Sequence, residues 1–123
     1  MQVLEEQNAA TVRALCALMV PGSERVWPEV YVDALLARMP EADRAGALAS
    51  FEVLAPFSES AESLAQRAFT PEFMLVRALA CEAFYSDFVA PGAPGPGAYE
   101  EIDFSLPLAK RIKKDWSYLG VTE

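Results

Sequence analysis

The chain has 123 residues, with 18 acidic and 10 basic side chains and no histidine. Without an imidazole, Ser-His-Asp and Cys-His mechanisms, histidine-ligated metals or haem, and a histidine pH switch are excluded. A net charge of −8 repels phosphate backbones, which argues against nucleic acid as a partner.

The first helix is predicted over Glu5 to Met19, where Val12, Leu15, Cys16, Leu18 and Met19 recur at helical spacing, and Pro21-Gly22 stops it. Ser23 to Trp27 reads as a loop. Pro28 suits the first turn of a second helix running to about Met39, since its missing N–H costs nothing there; Val32, Leu35, Leu36 and Met39 form the inner row. A third helix, Glu41 to Ala55, turns Leu48, Phe51, Leu54 and Ala55 inward, and Pro56 breaks it. Ser60 to Phe69 reads as a short fourth helix. Thr70-Pro71-Glu72 is a start signal: a capping hydroxyl, a proline in the first turn, and an acid facing the helix dipole. The fifth helix carries Phe73, Val76, Leu79, Ala80, Ala83 and Phe84.

After Phe88 the character changes. The prolines and glycines between Val89 and Ala98 are too dense for regular helical bonding, so an extended connector is expected. Ile102, Phe104 and Leu106 then alternate with polar residues, and Ser105 to Trp116 reads as a last helix with Leu108, Ile112 and Trp116 on one side. The charge changes too: residues 1–104 hold 16 acids and 6 bases, whereas residues 105–123 hold 2 acids and 4 bases. The expected architecture is all-α. It is a bundle of five to six helices in residues 1–88, followed over 89–123 by an extended arm with a terminal helix.

Chemistry-bearing motifs are few. Cys16 and Cys81 lie in apolar helical stretches with no base to activate them, which reads as core packing. Gly92, Gly95 and Gly97 are spaced like part of a phosphate loop, but interleaved prolines remove the N–H donors such a loop needs. Glu100, Glu101 and Asp103 read as solvated acids. The basic run Lys110-Arg111-Ile112-Lys113-Lys114 flanks the apolar stripe of the last helix and suits a solvated or partner-facing edge. Apolar residues make up 53% of the chain, and mean hydropathy is +0.15, high for a small domain, yet no run reaches the ~18 residues of a membrane span. Such an excess implies apolar surface, the mark of a partner interface. The expected anchors are Tyr85, Phe88, Tyr99, Ile102, Phe104, Leu108, Ile112, Trp116 and Tyr118.

A helix ending Leu18-Met19-Val20-Pro21-Gly22, a second containing Tyr31-Val32-Asp33, a long helix ending Glu82-Ala83-Phe84-Tyr85-Ser86-Asp87, and a Pro/Gly-rich tail with aromatics together resemble the gluconate 2-dehydrogenase subunit 3 family over roughly residues 10–120. The resemblance implies a helical subunit without its own cofactor or catalytic residues. Its partner would be a large flavin-dependent sugar or alcohol dehydrogenase of the glucose-methanol-choline class, which holds the FAD. Many such subunits are exported with a twin-arginine signal. Met1 to Glu6 shows no signal peptide, so the expected location is cytoplasmic, with co-export on a partner as the other route. The expectation is therefore a non-catalytic member of a hetero-oligomer with no membrane insertion. A stand-alone helical adaptor or regulator is the alternative, and an enzyme working through Asp, Glu or Tyr has no motif behind it.

Overall fold

In a computed structural model of the chain, residues 2–101 are described, the side chains of 100 and 101 excepted. The fold is a small all-α bundle, with no strand among the described residues. Helix α1 spans Glu6–Met19, α2 Pro28–Arg38, α3 Glu41–Leu54, α4 Ala61–Ala65, α5 Pro71–Tyr85 and α6 Ala98–Glu101; short 3₁₀ turns cover Ser23–Val26 and Ala55–Phe57. Helix α5 packs against α1, α2 and α3. The core gathers Val12, Leu15 and Cys16 of α1, Val32 and Leu36 of α2, Phe51 and Leu54 of α3, and Val76, Ala80, Ala83 and Phe84 of α5. Leu18, Met19, Leu35, Met39, Leu48 and Phe73, expected inside, are half-buried at its margin.

Local chemistry sets the boundaries. Thr70 Oγ1 accepts from the Phe73 amide at 3.2 Å, and Pro71 stands in the first turn of α5, as its start signal requires. Ser60 caps α4 in the same way through the Ser63 amide at 3.1 Å. The C-terminal end of α2 is closed from the next helix: Arg44 of α3 donates to the carbonyls of Leu36, Ala37 and Met39.

Four expectations need correction. The fourth helix ends at Ala65 rather than Phe69; tight turns follow, and Phe69 takes φ +69°. Pro71 holds Thr70 extended, so the chain must reverse before it, and the left-handed Phe69 makes that reversal. Ser23 to Val26 is a 3₁₀ turn rather than open loop, closed by Trp27 at φ 53°. Ala98 opens the helical turn α6 instead of extending the connector.

The fourth correction concerns the arm. The chain does not leave the bundle after Phe88. The Ala90 amide donates to Val26 O at 3.1 Å, the Gly95 amide to Arg25 O at 3.0 Å, and Arg25 Nε to Pro96 O at 2.8 Å. The Tyr99 amide donates to Asp87 Oδ1 at 3.0 Å. Ala90, Gly97 and Ala98 are buried. The proline-rich stretch is not simply extended: the Ala93 amide closes a turn at Pro91-Gly92 on Ala90 O at 2.9 Å, Gly92 and Gly95 take positive φ, and the segment is laid along the 3₁₀ turn after α1. With few N–H donors of its own, it takes its other backbone partners from across the fold. The extended segment at 102–106 and the last helix over 105–116 lie outside the described residues.

Candidate functional site

Two surface features carry the candidate site. The first is the open side of α5. Helix packing buries Val76, Leu79, Ala80, Ala83 and Phe84. Met74, Ala78, Cys81 and Tyr85 follow one another by three or four residues, so they share another face. Tyr85 is 54% exposed and Met74 45%, with Leu75 exposed beside them. Phe69, at the turn that leads into α5, is 85% exposed. An apolar ring that open is costly in water, and together with the exposed groups of α5 it makes this side a candidate docking surface.

The second feature is a cleft of about 710 Å³ between α1 and the 3₁₀ turn. Leu4, Ala9, Ala10, Ala14 and Ala17 give it an apolar floor. Its polar groups are Arg13 and the carboxylates of Glu6, Glu24 and Glu29. Glu29, 2% exposed at the start of α2, accepts from Arg13 Nε at 2.7 Å and also from Arg13 Nη2. The guanidinium lies 5.8 Å from the Trp27 ring centroid. Hydrogen bonding to Glu29 raises the Arg13 pKa further above its ordinary value. Glu29 Oε1 is buried and has no hydrogen-bond partner among the described residues.

The sequence-predicted anchors divide. Tyr85 is exposed and belongs to the α5 face. Phe88 is fully buried, packed edge-on against Tyr31 at 5.3 Å between centroids. It is a core residue rather than a surface anchor, because the turn at Asp87 (φ 64°) drives it inward under the returning chain. Tyr99 is half-buried. Ile102, Phe104, Leu108, Ile112, Trp116 and Tyr118 lie outside the described residues. Phe69, Met74 and Leu75 were missed: helical periodicity marks α5 as apolar but not which side its neighbours cover.

Cys16 and Cys81 are free thiols. Burial, reinforced by the negative charge of Glu29, pushes Cys16 up to about 12, so it is an inert core thiol. Among the described residues no group of three or more Cys, Asp or Glu could hold a metal ion, and no helix is long and apolar enough to cross a membrane. Comparison of the chain with known protein families, with curated proteins and with solved structures finds no match.

Proposed function

We propose that this chain is a small, non-catalytic helical subunit that docks through the open face of α5 on a larger flavin-dependent oxidoreductase of the glucose-methanol-choline class, with FAD and the chemistry on the partner. The observation behind the docking surface is the apolar row of Phe69, Met74, Leu75 and Tyr85 standing in solvent. The flavoprotein identity of the partner rests on the sequence resemblance. Binding that covers this row removes apolar and aromatic area from water at a few anchor positions, the usual energetic core of an interface. A subunit that binds only the folded, FAD-loaded partner stabilises that state by mass action.

The test is affinity capture with the tagged chain from its native host. A yellow, FAD-bearing protein several times heavier supports the reading. Met74→Glu with Tyr85→Glu should abolish capture while leaving the unfolding transition in place, because both side chains are exposed. Capture of no flavoprotein by the unaltered chain refutes it, as does a large subunit that is soluble, FAD-loaded and active when made alone.

A further inference from the structure

The cleft between α1 and the 3₁₀ turn is acidic at its rim and apolar at its floor. Glu6 and Glu24 make no ion pair among the described residues, and the Arg13 guanidinium is already committed to Glu29. Glu29 itself, almost wholly buried against the cleft, keeps one carboxylate oxygen without a partner among the described residues. The complementary occupant is therefore cationic and amphipathic. Alanines at positions 10, 14 and 17 keep the floor shallow, so a helix could lie close to α1 there.

The chain carries one segment of that chemistry. Lys110, Arg111, Lys113 and Lys114 are the only cations after Arg77, and they flank Leu108, Ile112 and Trp116 at helical spacing. The described chain passes beside this cleft before residue 101. Residues 95 and 96 are hydrogen-bonded to Arg25, the neighbour of Glu24 on the cleft rim. From Glu101 to Lys110 is nine residues, a reach of up to roughly 30 Å.

We propose that the basic C-terminal segment, residues 105–116, docks in cis on this cleft, with Ile112 and Trp116 toward the alanine floor and Lys110, Arg111, Lys113 and Lys114 toward Glu6, Glu24 and Glu29. The site is an intramolecular clasp that joins the end of the chain to its first helix. It assigns the basic run to the protein itself and leaves the α5 face free, so it stands whether or not the flavoprotein reading does.

The test uses the full chain with Cys81→Ser and a nitroxide on Ser117→Cys; Cys16 is buried and stays unlabelled. Amide signals of Ala10, Ala14, Ala17 and Glu24 should lose most of their intensity in the labelled chain. They should keep it when spin-labelled, unenriched chain is mixed with unlabelled, isotope-enriched chain. Lys110→Glu, Arg111→Glu, Lys113→Glu and Lys114→Glu together should restore the signals, as should ~1 M salt, where screening falls to about 3 Å. Adding Glu6→Lys and Glu24→Lys to that fourfold charge-reversed chain should bring the broadening back. The proposal is overturned by unbroadened α1 signals in the labelled chain, by broadening that survives the charge reversal, or by broadening in the mixed sample, which would mean docking between copies.

Discussion

Asp33 is a buried carboxylate in the middle of α2, and it holds the N-terminal segment in place. Its Oδ2 accepts from the Gln2 amide at 2.8 Å, and its Oδ1 accepts from Val3 and Leu4 at 2.8 and 2.7 Å. Asp33→Ala removes all three acceptors. The exposed Gln2 amide can turn to water, but the Leu4 amide is buried with its residue. Leaving it unpaired costs about 1–3 kcal/mol, and the two outer bonds add about 0.5–1.5 kcal/mol each. The alternative is for the segment to detach, exposing Leu4 at a cost of about 1.5–3 kcal/mol along with the lost bonds. The first route sums to about 2–6 kcal/mol and the second is larger, so the fold should lose about 2–6 kcal/mol. That is a large part of the 5–15 kcal/mol typical of a domain. Asp33→Asn keeps one oxygen for Val3 and Leu4 and turns an amide NH₂ toward Gln2, so its loss should be about half as large.

Urea unfolding of the three proteins gives the ranking, and an unchanged m value would show that the same surface is exposed in each. Hydrogen exchange at the Leu4 amide gives the mechanism: protection should fall sharply in Asp33→Ala and less in Asp33→Asn. An Asp33→Ala protein within about 0.5 kcal/mol of the original, with Leu4 still protected, would refute the carboxylate clamp.

Four further outcomes are expected. Arg13→Ala leaves the buried Glu29 without its cation and should cost about 1–3 kcal/mol, discounted because the arginine is half exposed; adding Glu29→Gln should recover part of it in thermal unfolding. Arg44→Ala strips three carbonyls at the end of α2 of their donor, with an expected loss of about 1–3 kcal/mol and faster amide exchange in the last turn of that helix. Gly97→Ala places a Cβ 2.4 Å from Asp87 Oδ1, so it should break the Tyr99–Asp87 contact and loosen residues 90–99 to limited proteolysis, whereas Gly46→Ala, with open space around it, should not. Cys16 is held at about 12 against an ordinary 9.0, so its unfolded form ionises first; between pH 9 and 12 this thiol alone should lower stability by about 1.4 kcal/mol per pH unit, read as the difference between the original chain and Cys16→Ala in urea at pH 8 and 10.

Much of the bundle was legible in the sequence because prolines and apolar spacing act locally. Pro28, Pro40, Pro56 and Pro71 bound or break helices where a missing N–H and a fixed φ require it. What escaped was decided across the fold. Nothing in the local sequence marks Asp33 and Glu29 as buried; they are so because one meets three amides of the chain start and the other meets Arg13. Phe88 was expected as an interface anchor on the apolar and aromatic excess of the chain. The positive φ at Asp87 sends it under the returning proline-rich segment, and no periodicity records that.

The same limit applies to the proposed docking face: composition implied apolar surface, but of the expected anchors that lie among the described residues only Tyr85 is exposed on it. In α5 the polar side chains are Glu72, Arg77 and Glu82, too few to cover one side of a fifteen-residue helix. A helix apolar around most of its girth normally sits where neighbours close over it. Here α1, α2 and α3 close over part, and the remainder carries Met74, Leu75, Ala78 and Tyr85. The described core already holds its large residues at near-zero exposure, so no larger bundle is needed to explain the inner face. The outer face is the part that folding of residues 2–101 leaves undone. A charged substitution at Met74 therefore tests the proposed division of α5: the inner row packs the core, and under the docking proposal the outer row meets the partner.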